Sequence, residues 1–261
     1  MSTLKEAKRI VFKVGTSTLT YDTGKANIRR MSKLAEVLSD LQNSGREVVL
    51  VTSGAIGIGV GKLGLKSKPS DTPGRQAAAC VGQCELMFIY DKLFSEFGHT
   101  VGQLLITKSD VDDPERCSNL INTFEKLFEF GAIPIVNEND SVAVDEIVFG
   151  DNDNLSATVA KLIKADALVI LSDIDGLFSA NPLEDASATL IPCVDEIDDE
   201  IFSLASGAGT NRGTGGMITK LQAAKTATEA GITTVVMNGY DPTDIYKLID
   251  GHSVGTLFRC K

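Results

Sequence analysis

The sequence predicts an α/β protein with a mostly parallel central sheet covered on both faces. Three observations carry this. Short runs rich in Val, Ile and Leu lack the polar alternation of half-exposed strands. Segments with apolar residues at helical spacing separate these runs. Polar or glycine-rich clusters follow most of the runs, where the carboxyl ends of parallel strands gather ligands.

The elements follow in order. Arg9 to Val14 is a β-branched run ended by Gly15. Ile28, Met31, Leu34, Leu38 and Leu41 recur as on one helix face, and Asn43-Ser44-Gly45 stops them. Val48 to Val51 is the second strand, ended by Thr52-Ser53-Gly54. Between Gly74 and Phe97 the positions Cys80, Val81, Cys84, Met87, Phe88 and Phe94 suit a helix. Val101 to Ile106 reads as a strand. Pro114 to Phe130 reads as a helix, with proline near its first turn. Ile133 to Val136 is a further strand, and Val142 to Gly150 is short enough for a hairpin. Leu155 to Lys164 is helical, Ala167 to Leu171 a continuous apolar strand, Gly216 to Ala230 a helix, Thr233 to Met237 a strand and Pro242 to Asp250 a short helix. With no low-complexity linker and no solenoid-length repeat, residues 1–261 are expected to form a single domain.

Composition narrows the function. The 261 residues carry 25 Lys and Arg against 35 Asp and Glu, a formal charge of −10. That balance, without any Lys/Arg-rich block, argues against nucleic acid as the main partner. No apolar run reaches the about 20 residues of a membrane span. The N-terminus lacks a signal-peptide core. Five scattered cysteines make a disulfide framework improbable and fit a reducing cytoplasm.

Five clusters fall at the expected strand ends or a helix start: Lys13 to Ser17, Thr52 to Ala55, Asn137 to Asp140, Ser172-Asp173, and Gly213 to Lys220. Lys13 interrupts an apolar strand before a glycine turn. It is either a lysine reaching out from a strand end or a phosphate ligand beside a glycine that admits the phosphate. In Gly213 to Lys220, glycines followed by Thr219-Lys220 at a helix start would present N–H groups and a cation to an anion. A flexible loop is the plainer alternative, and the Walker pattern is not matched because Lys220 follows Thr219. Gly150 to Ala157 places two carboxylates and two amides before a helix. Capping explains one or two of the four; the others are free to hold an amino group, a metal or active-site lysines. The distal glutamate of a calcium loop is lacking.

Other features read as structural. Cys80 and Cys84, one turn apart in an apolar stretch, are expected to pack in the core. His99 and His252 have no nucleophile motif beside them. The acidic run Asp195 to Glu200 reads as a solvated face and helix start. Gly57-Ile58-Gly59-Val60-Gly61 is a loose dinucleotide-type pattern after a strand, with Asp71 only loosely placed as its acidic partner.

Taken together, Phe12 to Ser17, Val51 to Ile56, Val136 to Asp140, Gly150 to Ala157, Gly213 to Met217 and Ser253 to Phe258 resemble the amino-acid kinase family, in its branch acting on glutamate. They run through nearly the whole chain. The resemblance implies a three-layer α/β/α sandwich (the amino-acid kinase fold) and transfer of phosphate from ATP to L-glutamate, giving L-glutamyl 5-phosphate in the first step of proline biosynthesis. It implies Mg²⁺ with ATP, a cytoplasmic homo-oligomer (dimer or tetramer) and inhibition by L-proline. Matched position by position, Lys13 and Lys220 would be the cations on the migrating phosphoryl group, and Asp153 would orient them. Ser53, Asp140 and Asn152 would bind glutamate, with Asn137 beside them. Ser172, Asp173 and the stretch Thr214, Gly215, Gly216, Met217, Ile218, Thr219 and Lys220 would hold the nucleotide together with Lys13. No protein-held metal ligand is expected. Many bacterial members continue into a C-terminal PUA domain, whereas this sequence stops at Lys261, so a kinase domain alone is expected. Ser172 stands where threonine is frequent, and Ile218 where serine is.

These residue types suit the chemistry. Phosphoryl transfer asks the protein for positioning and charge neutralisation, and an ionised carboxylate acceptor needs no general base. The competing readings are a kinase of the same fold acting on acetylglutamate, aspartate or carbamate, and a non-catalytic amino-acid sensor.

Overall fold

The computed structural model describes residues 3–21, 23–142, 152–182, 184–206 and 216–260. Among them β1 (Arg9–Val14), β2 (Glu47–Thr52), β3 (Val101–Ile106), β4 (Ile133–Glu138), β5 (Ala167–Ser172), β6 (Cys193–Val194), β7 (Thr233–Asn238) and β8 (Thr256–Phe258) form one sheet. Its order is β3-β4-β2-β1-β5-β7-β8-β6. All pairings are parallel except β7 with β8. The proposed hairpin at Val142 to Gly150 lies almost wholly outside the described residues.

The helices are α1 (Thr3–Glu6), α2 (Thr16–Leu19), α3 (Ile28–Asn43), α4 (Ala55–Lys62), α5 (Thr72–Ser95), α6 (Lys108–Asp112), α7 (Pro114–Glu129), α8 (Asn152–Leu162), α9 (Asp199–Ser206), α10 (Met217–Glu229) and α11 (Asp244–Ile249). They start where the sequence supplies caps. Asn27 accepts from the Arg30 N–H, Asp71 from Gly74 and Asp113 from Arg116, with proline in the first turn of α5 and α7.

The two-residue period of the strands builds two cores and makes the sandwich three-layered. Ile10, Phe12 and Val14 of β1, Val48 and Leu50 of β2, and Ile133 and Ile135 of β4 meet α3, α5 and α11 on one face. Val11, Val49, Val51, Val136, Leu168 and Ile170 meet α7, α8, α9 and α10 on the other. The same alternation assigns the polar residues at the strand ends. Lys13 falls with Val11 on the α8/α10 face, and Asn137 falls with Ile135 on the α5 face. β1 is the strand at which the chain turns outward in both directions, so its carboxyl end opens the crevice where such sheets bind ligands.

Two expectations are corrected. Cys80 and Cys84 are exposed, because α5 buries the stripe Ala78, Ala79, Gly82, Leu86, Tyr90 and Phe94 and turns these cysteines to the opposite side. Gly57, Gly59 and Gly61 lie inside α4 and make no dinucleotide turn. They let helices and loops approach: a Cβ on Gly59 would sit 1.8 Å from the Ala78 carbonyl oxygen, and one on Gly61 would sit 2.8 Å from that of Gly24. Asp71, the loosely placed acidic residue, is the N-cap of α5.

Candidate active site

Lys13, one residue from the end of β1, Asp153 in the first turn of α8, and Lys220 in the first turn of α10 converge, although up to 207 positions separate them in the chain (220 − 13). Lys13 Nζ lies 2.6 Å from Asp153 Oδ1, and Lys220 Nζ lies 3.1 Å from Asp153 Oδ2. The Asp153 side chain is fully buried, and those of the lysines are 8% and 7% exposed. Thr219 Oγ1 also donates to Asp153 Oδ2, at 3.0 Å. Burial alone would raise the Asp153 pKa; the two lysines outweigh it and hold the carboxyl below the ordinary carboxylate range. One carboxylate thus permits two ammonium groups to stand close together, with a net positive charge at the head of β1. The reading of Lys13 as a lysine reaching into solvent does not survive this geometry.

On the β5/β7 side of that triad lies a cavity of about 230 Å³. Ser172, Asp173, Gly216, Met217 and Lys220, which the resemblance assigns to the nucleotide, line it together. Its apolar wall comes from Leu177, Phe178, Pro182, Leu204 and Tyr240. Ile218 is 41% exposed and points away from this lining. Thr219 serves Asp153, and Thr214 and Gly215 lie outside the described residues. Sequence reading missed the apolar wall because it is assembled from the loop after β5, from α9 and from the turn after β7. Taken singly, none of these residues differs from a core residue.

On the β2/β4 side lies an amide cluster. Asn152 Nδ2 donates to the Thr52 carbonyl at 2.6 Å, to Asn137 Oδ1 at 2.8 Å and to Ser53 Oγ at 3.1 Å. The Ser53 N–H is bonded to the Val14 carbonyl, so the β2 end is tied to the β1 end. Asn137, buried on the α5 face, donates to Gln83 Oε1 at 2.8 Å. Sequence reading brought Ser53, Asn137 and Asn152 together but missed Gln83, which sits in an apolar helical stretch. Asp140 lies two residues beyond β4. Burial pushes its pKa up to about 6, partly offset by the nearby Lys68.

A mostly parallel sheet whose central strand carries a carboxylate-bridged lysine pair, between an amide cluster and a cavity with an apolar wall, defines a phosphotransferase site. Residues 8–238 match the model of the amino acid kinase family, and the chain belongs to that family. It is 52% identical to the glutamate 5-kinase of Clostridium perfringens, with 99% of this chain and 97% of that protein aligned. It is also 52% identical to the glutamate 5-kinase of Listeria innocua, over 99% of this chain and 95% of that one. The fold resembles UMP kinase from Bacillus anthracis, with a TM-score of 0.66 at 18% identity, over 98% of this chain and 97% of that chain. It likewise resembles T. acidophilum isopentenyl phosphate kinase, with a TM-score of 0.64 at 18% identity, over 96% and 100%. Among the described residues no helix is long and apolar enough to cross a membrane.

Proposed function

We propose that this chain transfers the terminal phosphoryl group of ATP to the side-chain carboxylate of L-glutamate, giving L-glutamyl 5-phosphate and ADP for proline biosynthesis. The observation that carries this reading is the Lys13–Asp153–Lys220 triad, set between the amide cluster and the apolar-walled cavity. A glutamate oxygen attacks the terminal phosphorus, the bond to the bridging oxygen breaks, and ADP leaves. No proton needs to move, and no histidine is called for. Lys13 and Lys220 meet the charge that spreads over the phosphoryl oxygens. Ser172, Asp173, Gly216 and Met217 hold the nucleotide against the apolar wall. The N-terminus of α10 faces its phosphates.

At the acceptor end, the Asp140 carboxylate and the Asn152 oxygen suit an ammonium group. An N-acetylated amino acid would offer them a single uncharged N–H in place of the ammonium, which favours glutamate over acetylglutamate. Mg²⁺ enters with ATP, its ligands chiefly phosphate oxygens. The enzyme works as a cytoplasmic homo-oligomer, and L-proline restrains it.

The test is ADP release with a panel of glutamate, acetylglutamate, aspartate and carbamate, the acyl phosphate being trapped with hydroxylamine. Glutamate is expected to drive release and to give the hydroxamate. Absence of release with every acceptor would favour the sensor reading. Lys220→Ala is expected to lower turnover roughly 10²–10³-fold at saturating substrates, the loss of one preorganised charge contact. Near-normal turnover in that variant would remove Lys220 from the reacting centre.

A further inference from the structure

The amide cluster extends one residue beyond any substrate contact. Two backbone groups fix every orientation in it. The Glu138 N–H can only donate, and it meets Asn137 Oδ1 at 2.9 Å. The Asn137 nitrogen therefore faces Gln83, and Gln83 turns its oxygen to receive it. The Thr52 carbonyl can only accept, so Asn152 turns its nitrogen toward it. The two N–H bonds of Asn152 thus serve three protein acceptors: Thr52, Ser53 and Asn137. Its oxygen, on the other edge of the amide, has no donor among the described residues and is the part left for a ligand.

From this we propose that Gln83 is a positioning residue for the acceptor substrate. Through Asn137 it holds the Asn152 amide with its oxygen presented to the substrate ammonium. The inference rests on the glutamate-kinase reading above. Gln83 touches no reacting atom. It is nonetheless 9% exposed on an otherwise apolar stripe of α5, and the only side-chain hydrogen bond it makes among the described residues is the one to Asn137. A buried amide carries a desolvation cost, so a stripe built for packing alone would favour leucine or methionine there. Its position is set with little freedom. The neighbouring Gly82 packs so tightly on α4 that a Cβ would sit 1.7 Å from the Ala55 carbonyl oxygen. Residue 83 is thereby held beneath the end of β4. Removing the acceptor strands the Asn137 N–H and releases that side chain to turn, and Asn152 then loses one of its three anchors.

The full chain is assayed with Gln83→Met, which keeps the volume and loses the acceptor. The KM for glutamate is expected to rise about tenfold, with kcat and the KM for ATP within about twofold of the parent. Gln83→Glu keeps an oxygen facing Asn137 and is expected to recover most of that loss. In an Asn137→Ala background, Gln83→Met is expected to add nothing, because its path is already cut. An unchanged glutamate KM in Gln83→Met, alongside a raised one in Asn152→Ala, would overturn the inference and leave the functional reading standing. An unchanged KM in both variants would remove the amide cluster from the acceptor site, and the reading would fall with it. Parallel losses in kcat and both KM values, tracking a lowered Tm, would also overturn it, as the mark of a merely structural role. Should Gln83→Met fail to fold, Gln83→Glu decides alone: a glutamate KM within about threefold of the parent supports the inference, and a tenfold rise overturns it.

Discussion

A carboxylate that binds an ammonium group must be charged, and burial opposes that charge. As the carboxylate proposed for the glutamate ammonium, Asp140 stands at this conflict, its pKa pushed up to about 6 by desolvation, with Lys68 relieving only part of the cost. Two consequences follow, and their signs differ. For binding, the charged form is required, so the glutamate KM is expected to rise as pH falls through about 6, approaching about tenfold per unit. For stability, a folded pKa above the unfolded value means that the contribution of this group is fully present below the unfolded pKa and is lost as pH rises through about 6. Asp140→Asn removes the titration from both. It is expected to raise the glutamate KM, to flatten its pH profile, and to raise Tm at neutral pH by an amount worth about 1–3 kcal/mol. Kinetics and thermal melts between about pH 5 and 8 check both signs. A profile in Asp140→Asn identical to that of the parent would assign the titration to another group. Asp153 shows the opposite balance although it is the more deeply buried of the two: two lysines reach it, and its charge is held down to acid pH.

Among the elements, α4 and α5 do most to place the proposed acceptor end of the site. α4 begins at Gly54, whose φ of +100° is open to glycine at little cost, and so turns the chain directly from Ser53 into a helix. Gly59 and Gly82 then bring the two helix backbones into contact. Gly82→Ala is expected to force them apart, costing about 1–3 kcal/mol or more. Because Ser53 and Gln83 ride on either side of that contact, the same variant is expected to raise the glutamate KM with less effect on that of ATP. Chemical denaturation and steady-state kinetics measure the two effects. A stable variant with parental KM would show that the helices can separate without moving the site. The same contact explains what could be read from the sequence. Long elements with a clear period, such as α3, α7 and the strands β1 to β5, were legible within one or two residues. α4 was not, because five residues alternating glycine with Ile and Val have poor helix propensity, and the close approach that rescues them is tertiary. α5 misled on Cys80 and Cys84 because it is apolar on both sides, so periodicity could not choose which stripe is buried. The short strands β6 and β8 exist only by pairing with each other and with β7 at one side of the sheet.

Across the whole molecule, the sheet divides labour along its strands. Carboxyl ends carry the candidate site: the amide cluster proposed for the acceptor over β4 and β2, the lysine pair over β1, and the cavity proposed for the nucleotide over β5 and β7. This ordering was legible in outline, since each polar cluster follows a strand and strand ends are where open parallel sheets bind ligands. Which clusters face each other came only through the family resemblance, which put Lys13, Asp153 and Lys220 together; spacing alone does not show it, because it depends on strand order and on the face each side chain takes. The amino ends are held by a separate device. Arg9 Nε lies 2.6 Å from Glu47, its Nη1 lies 2.8 Å from Glu125 and donates to the Ile163 carbonyl at 2.5 Å, and its guanidinium stacks on Phe128 at 4.4 Å. Beside it, Asp166 accepts the Lys8 and Arg9 N–H groups, both at 2.8 Å. One side chain thus ties β1, β2, α7 and the end of α8 at the edge opposite the site. The Arg9 side chain is 19% exposed whereas Glu47 and Glu125 are 42% and 47% exposed, so the pairs are partly screened, and the larger loss is of the Ile163 carbonyl bond and the Phe128 stacking. Arg9→Met is expected to destabilise the fold by about 1–3 kcal/mol, read as a lower denaturation midpoint, more so at low salt. Both KM values and kcat are expected to stay within about twofold of the parent at temperatures where the variant is folded. A selective change in either KM would mean that the two ends of the strands are coupled, and that the sheet transmits strain from the Arg9 cluster to the lysine pair along the six residues of β1.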